Sequence, residues 1–170
     1  MFNFLRQKAI NALGGGVIRS HTILTARKKE LDGNGVYQYT DERRVVKDKV
    51  VTTAFVDFIV DQLIAETSVF GDFKYHEVGI GVGAENITDT ALGTTSGIDR
   101  EAGTQVETDH DTYKSVATIT ADATEAWTEH GLFNVDTAGT LMDRTVFGEI
   151  NVVSSNQVEF TFEISFAAGS

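Results

Sequence analysis

The sequence of 170 residues contains no cysteine and no proline. Without cysteine, a disulfide framework, a zinc ribbon, an iron–sulfur centre and a thiol nucleophile are all excluded. Proline at its average share of roughly 5% would occur about eight times in a chain of this length, so its absence removes X-Pro isomerisation as a slow folding step. No run of about 18 apolar residues is present, so no membrane-spanning helix is expected. Stability must come from packing, strand pairing or subunit contacts.

Basic residues are few, and most of them lie near the N-terminus. The formal charge is -11, but residues 1–50 hold ten basic and five acidic side chains, whereas residues 51–170 hold four and twenty. This asymmetry indicates a solvated basic face, an arm that docks on an acidic neighbour such as another copy of the chain, or a nucleic-acid site. A nucleic-acid site is the weakest of these, because the acidic body would repel phosphates and no aromatic stacking motif accompanies the basic residues. The solvated basic face would comprise the exposed strand positions Arg27, Lys28, Lys29, Arg43, Arg44, Lys47 and Lys49.

Residues 1–20 are predicted to form an N-terminal arm with a short helix, ahead of a single domain over residues 21–170. A glycine run at residues 14–16 ends the helix in a flexible joint. Such a segment is either a frayed terminus or an arm that becomes ordered on a partner. The apolar side of this helix comprises Phe2, Leu5, Ala9 and Ile10 or Leu13.

The remaining sequence predicts mainly strands. Strands are expected at 21–31, 36–39, 43–51, 75–83, 103–109, 112–121, 126–134, 141–150 and 157–167, the last from its strict alternation of apolar and polar residues. Thr52 or Thr53 offers an N-cap for one helix near 53–66, which is predicted to be buried over more than half its surface. Together these elements predict a mainly β protein, an antiparallel, jelly-roll-like β-sandwich with one buried helix.

The sequence motifs that could indicate catalysis or metal binding are weak. Gly79, Gly81 and Gly83 alternate with apolar residues, which predicts one strand face that another part of the chain approaches closely. The loop Asp109-His110-Asp111 could offer metal ligands, but adjacent strand residues point to opposite faces, so a polar hairpin tip is the better interpretation. No acid–base–nucleophile set is recognisable. We therefore predict no enzymatic activity, no metal and no cofactor.

One stretch of the sequence resembles a known pattern. The segment Glu129-His130-Gly131-Leu132-Phe133-Asn134, a Gly139-Thr140 turn and the segment Leu141-Met142-Asp143-Arg144-Thr145-Val146-Phe147 resemble a strand–turn–strand pattern of tailed-bacteriophage virion proteins. Those proteins often carry an upstream helix, a glycine-rich strand and a Thr-Asp-Thr-Ala-Leu segment, which residues 53–66, 78–83 and 88–93 match in order and spacing. His130 and Asp143 stand where the pattern often has alanine. The resemblance covers residues 45–166.

The resemblance implies a phage virion structural protein, and we expect a capsid decoration protein that binds and stabilises capsomers. It implies a location on the capsid surface after synthesis in the host cytoplasm, and as partners the major capsid protein and copies of the chain itself. The alternatives are a tail, neck, baseplate or fibre component, which could contact a host surface glycan, or a carbohydrate-binding surface module. Arg144 is expected to pair with a carboxylate, within the sheet or between subunits. The predicted interface residues are Phe2, Phe4, Leu5, Arg6, Arg27, Lys28, Lys29 and Arg144.

Overall fold

A computed structural model describes residues 19–48, 51–64, 72–108 and 111–167 of the chain. The predicted arm, apart from its last two residues, lies outside these ranges. In order along the chain the elements are β1 (Arg19–Leu31), β2 (Tyr37–Asp48), α1 (Thr53–Ile64), β3 (Tyr75–Gly79), β4 (Glu101–Ala102), β5 (Thr104–Thr108), β6 (Thr112–Thr120), β7 (Glu125–Phe133), β8 (Leu141–Val152) and β9 (Gln157–Ala167).

The strands form two antiparallel sheets that pack face to face, as the predicted β-sandwich requires. The five-stranded sheet has the order β2-β1-β9-β6-β5, and the four-stranded sheet has the order β4-β3-β7-β8. Alternating residues of β9 supply the centre of the core, since Val158, Phe160 and Phe162 are fully buried. Trp127 of β7 and Phe147 of β8 reach Phe160 from the opposite sheet, with ring centroids 6.4 and 6.2 Å away. Aromatic burial of this kind dominates the energetics of a core.

The β1–β2 hairpin is longer than the sequence predicts. The segments 36–39 and 43–51, expected as two strands, belong to the single strand β2, which pairs with β1 from Leu31↔Tyr37 to His21↔Asp48. A register shift between Lys28 and Lys29 absorbs the irregularity that interrupts the sequence pattern. The turn between the strands is the expected one: the Asp32 carboxylate accepts the N–H of Val36 at 3.0 Å.

Helix α1 begins where the sequence predicts, at a threonine N-cap. The hydroxyl of Thr52 accepts the N–H of Phe55 at 3.2 Å and donates to the carbonyl of Leu141, so the cap also ties the helix to β8. The helix is less buried than predicted. Phe55 is buried, but Val56 and Val60 are 47% and 53% exposed, because the helix covers one end of the sandwich instead of lying inside it.

Basic side chains of β2 close one side of the sandwich. Arg43 donates to the carbonyls of Gly148 and Glu149 at 3.1 and 2.9 Å, and Lys47 donates to the carbonyl of Arg144 at 2.7 Å. These carbonyls belong to β8, an edge strand whose unpaired backbone groups need partners. Two basic residues near the N-terminus therefore donate hydrogen bonds to backbone carbonyls at a sheet edge of the same chain.

Candidate functional site

Residues 80–100 fold back over the four-stranded sheet. They cover the outer face of its inner strand β7, which is therefore buried on both faces. The predicted strand at 75–83 ends at Gly79, because the chain turns there and Ile80 N–H donates to the carbonyl of Thr94 at 2.8 Å. Further along, the Arg100 guanidinium lies 3.3 Å from the centroid of the Phe133 ring and donates to Glu77 at 2.7 Å. This covering segment explains why seven consecutive residues of β7, 127–133, are buried.

A buried ion pair lies under the covering segment. Arg144 of β8 donates through Nε to Glu129 of β7 at 2.6 Å and through Nη1 to Asp89 of the covering segment at 2.9 Å. Its Nη2 donates to the carbonyl of Gly83 at 3.0 Å. Arg144 is 5% exposed and Glu129 is 0% exposed. We call Asp89, Glu129 and Arg144 the ion-pair cluster.

The Glu129 carboxylate also gathers three backbone donors. The N–H groups of Gly81, Gly93 and Thr94 approach its oxygens at 2.9, 3.0 and 2.7 Å. Burial alone would raise the pKa of Glu129, but the N–H groups of Thr94 and Gly93 and the Arg144 guanidinium together lower the pKa below its ordinary value. Glu129 therefore stays ionised and fixes the covering segment to the sheet at both ends of its first loop.

The ion-pair cluster brings together three separate parts of the sequence pattern: the Glu129–Asn134 segment, the Thr88–Gly93 segment and the Arg144 segment. Comparisons with protein-family models, curated proteins and solved structures find no match. The interpretation of the cluster therefore depends on its geometry. Every group in it is held by atoms of its own chain, as expected of a structural centre that sets the shape of the covering segment.

Arg144 takes the first of its two predicted roles. Pairing with a carboxylate inside the sheet is observed, and each guanidinium nitrogen binds a group of the same chain. The side chain is buried within the chain, and a place for Arg144 at an interface stays a prediction. The sequence missed its main partner, Glu129, although the two residues flank the same predicted hairpin.

The close approach predicted at the glycines holds for Gly79 and Gly81 but not for Gly83. A Cβ at Gly79 would lie 2.4 Å from the Thr94 carbonyl oxygen, and one at Gly81 would lie 2.2 Å from Glu129 Oε1. A Cβ at Gly83 would meet no atom of the described residues within 4 Å.

These distances predict unequal effects of alanine at two nearby glycines. Gly81→Ala should lower the free energy of unfolding by about 1–3 kcal/mol, since the added methyl group displaces Glu129. Gly83→Ala, the matched control, should leave stability unchanged or raise it by a few tenths of a kcal/mol, by restricting the unfolded chain. Urea unfolding of both variants checks this, and equal losses would contradict the geometry.

A second charged group connects the two sheets. Lys47 of β2 donates to Glu85 at 3.0 Å and lies 3.4 Å from Asp143 of β8. Asp143 is fully buried, and burial raises its pKa although Lys47 and the Thr145 hydroxyl oppose the rise. The Glu85 carboxylate also accepts the N–H of Val146 at 2.7 Å. Asp143, which stands where the phage pattern often has alanine, is thus the partner of a lysine from the basic N-terminal third of the chain.

The basic residues predicted on β1 lie on the sandwich itself and are paired within the chain. Arg27 contacts Glu42 at 3.1 Å, Lys29 contacts Glu159 at 2.8 Å, and Lys28 contacts Glu30 at 2.5 Å. Arg27 and Lys29 also lie 5.4 and 5.1 Å from the centroid of the Tyr39 ring. This arrangement matches the solvated basic face, with most of its charge neutralised locally. Their role at an interface stays a prediction.

The other predicted positions divide between described and undescribed parts of the chain. Phe2, Phe4, Leu5 and Arg6 lie outside the described residues, as do Asp109 and His110 of the suggested metal loop. Within the described ranges, no group of three or more histidine or acidic side chains could hold a metal ion. No helix in those ranges has the length and apolar character needed to cross a membrane.

Three buried polar side chains form a hydrogen-bonded row between the two sheets. His76 Nδ1 lies 2.9 Å from His130 Nε2, and His76 Nε2 lies 2.8 Å from the Ser115 hydroxyl. Sequence spacing did not reveal this set, because its members come from β3, β7 and β6. All three side chains are fully buried, so their hydrogen bonds form in the interior between the two sheets.

Apolar side chains are exposed at two places suited to contact with another protein. At the outer end of the β1–β2 hairpin, Leu31, Val36 and Tyr39 are each at least half exposed. On the covering segment, Val82 is 82% exposed and Ile87 is also exposed. Exposed apolar groups are common singly, but groups of them on adjoining residues are typical of interaction surfaces.

Proposed function

We propose that the chain is a structural protein of a tailed-phage virion, and specifically a capsid decoration protein without enzymatic activity. The observation that carries the proposal is the convergence of the three phage-like segments on the ion-pair cluster. Asp89 and Gly93 of the 88–93 segment bind Arg144 and Glu129 at 2.9 and 3.0 Å, so the three phage-like segments contact one another.

In this role the protein acts by adding interface. It would bind across adjacent capsomers through the N-terminal arm and the exposed apolar side chains, and hold them together against the pressure of the packaged genome. The strongly acidic body supports the proposal, since a particle surface of negative charge does not attract free nucleic acid. The sandwich gives such a protein a rigid body that needs no disulfide.

Binding to capsid shells tests the proposal. Purified protein should bind expanded shells of the phage that encodes it until the sites are saturated, and should raise the melting temperature of those shells. Quantitative mass spectrometry of virions should find hundreds of copies. About three to eighteen copies, with immunogold labelling at the tail tip, would indicate a tail, neck or baseplate component and would reject the decoration role.

The arm can be tested separately from the body. Deletion of residues 1–16 should abolish binding to shells, while cooperative urea unfolding shows that the sandwich stays folded. Lys114→Ala, at a basic position outside the predicted interface and paired with Glu163 at 2.9 Å, should reduce binding less than twofold and serves as a control. Undiminished binding by the deletion variant would show that the arm does not mediate docking.

A further inference from the structure

An apolar groove lies at the end of the sandwich where β1 begins and β9 ends. Its volume is about 730 Å³, and it runs between α1 and the five-stranded sheet. Its walls are almost entirely hydrocarbon, and Val56 and Val60 of α1 stand half exposed along its rim. The apolar lining includes Phe55, Ile59, Phe73, Met142, Ile164 and Phe166. An apolar surface of this extent is expected to be covered, because burying it releases water at a gain of roughly 25 cal/mol per Å².

The chain enters the sandwich at this groove. Ser20, the second residue of β1, lines it, so the residues that precede β1 start from its rim. The sequence pattern of residues 2–13 predicts an amphipathic helix with large apolar side chains on one side. Twelve helical residues span about 18 Å, and α1, which forms one wall, also has 12 residues. The segment therefore matches the wall in length, and the glycines at 14–16 allow the reversal of direction that packing beside it requires.

Charge favours the same placement. Residues 2–13 contain two basic side chains, Arg6 and Lys8, and no acidic one. Asp72 lines the groove with its side chain 60% exposed and pairs with Lys74 at 2.9 Å, and Asp57 is exposed on α1. Opposite charges at a half-exposed rim fix orientation more than they add affinity.

We propose that the N-terminal segment, residues 2–13, docks in this groove of its own chain, with Phe2, Leu5 and Ile10 turned toward α1 and β9. Docking within one chain is favoured over docking on a second copy, because a short flexible linker gives the segment an effective concentration in the millimolar range. The proposal does not depend on the virion role. It gives the free protein a way to cover both the groove and the apolar side of the arm.

Cysteine crosslinking tests the placement directly, since the natural chain has no cysteine to interfere. The Leu5→Cys, Val60→Cys double variant should form an intramolecular disulfide under mild oxidation at micromolar concentration, seen as faster migration of the monomer in non-reducing gels and confirmed by peptide mass spectrometry. The matched control is Leu5→Cys with Val153→Cys, a valine of similar exposure in the β8–β9 turn, at the other end of the sandwich. The control should not form the link. A disulfide-linked dimer as the main product would assign the groove to a second copy and overturn docking within one chain.

Dye binding provides a second measure that does not depend on cysteine geometry. Deletion of residues 2–13 should raise the fluorescence of 8-anilinonaphthalene-1-sulfonate severalfold, because the apolar walls become accessible. Leu5→Asp should do the same, whereas Gln7→Asp, on the polar side of the predicted helix, should not. Unchanged fluorescence in the deletion variant would mean that another segment, such as residues 65–71, covers the groove, and would overturn the proposal.

Discussion

Arg144→Met should lower the free energy of unfolding by about 3–5 kcal/mol, because it leaves the Glu129 carboxylate buried without its counter-charge. Methionine keeps most of the side-chain length and apolar volume, so the loss reports the missing charge more than a cavity. Three backbone N–H groups still bind Glu129, but they hold the covering segment and do not neutralise it. Chemical denaturation at pH 7 measures the effect.

Two comparisons distinguish the loss of the buried ion pair from the effect of removing any arginine. Arg27→Met removes an arginine whose side chain is 46% exposed and whose partner, Glu42, is 53% exposed, and it should cost less than about 1 kcal/mol. The Glu129→Gln, Arg144→Met double variant should be less destabilised than the sum of its single changes, since no unpaired carboxylate remains at position 129. A loss for Arg144→Met no larger than that for Arg27→Met would contradict a structural role of the cluster.

The sequence predicts the fold class well, because alternation and helical spacing are local signals. The β9 pattern and the Thr52 cap both depend on neighbours within a few residues, and both agree with the structure. The covering segment could not be predicted in the same way. Its glycines signal a close approach, but which group approaches is decided by the pairing of β3 with β7, which places Gly79 opposite Glu129.

The partners of the basic residues in the N-terminal third could not be predicted from local sequence signals either. The charge count predicts a solvated basic face, a docking arm or a nucleic-acid site, but it does not indicate that Arg43 and Lys47 bind carbonyls of β8, about 100 residues further along the chain. Such partners are set by which strands form sheet edges, and edge position is a property of topology. For Arg144, by contrast, the requirement for a carboxylate partner followed from the cost of burying an unpaired charge, and only the identity of the partner needed the structure.

The protein should lose stability steeply as the pH falls below about 6.5, through the buried pair His76 and His130. Burial lowers the pKa of His76 to about 3 and holds the pKa of His130 well below its ordinary value, with nearby His76 and Lys47 adding to the latter effect. In the unfolded chain each imidazole titrates near 6.5. Between these values the unfolded state binds protons that the native state excludes, so stability is complete above neutral pH and falls on acidification.

Hydrogen bonding explains why the native pair resists protonation. The assignment that leaves least unsatisfied has His130 Nε2–H donating to His76 Nδ1 and His76 Nε2–H donating to the Ser115 hydroxyl. His130 Nδ1 then carries only a lone pair, and it has no hydrogen-bond partner among the described residues. A proton added there would become a buried donor without an acceptor, beside the Phe160 ring whose centroid lies 4.8 Å away. Protonation therefore breaks the arrangement instead of strengthening it.

The size of the effect follows from linkage. Each excluded proton contributes a slope of about 1.4 kcal/mol per pH unit, so His76 alone should remove about 2 kcal/mol between pH 6.5 and pH 5. Urea unfolding of the natural chain from pH 8 to pH 5 measures the slope. The triple variant Ser115→Ala, His76→Leu, His130→Leu removes the whole hydrogen-bonded chain and should show a shallower slope below pH 6.5, with the two slopes equal above pH 7.

Direct titration of the two imidazoles tests whether they stay neutral in the folded protein, even if the triple variant folds poorly. In the natural chain, the imidazole resonances of His76 and His130 should keep the chemical shifts of the neutral ring down to pH 4.5, or until the protein unfolds. Protonation of either ring in the folded state near pH 6 would contradict the prediction, as would equal pH slopes in the two proteins. Acid stability thus depends on two histidines that lie 54 residues apart in the sequence and become partners only because β3 pairs with β7.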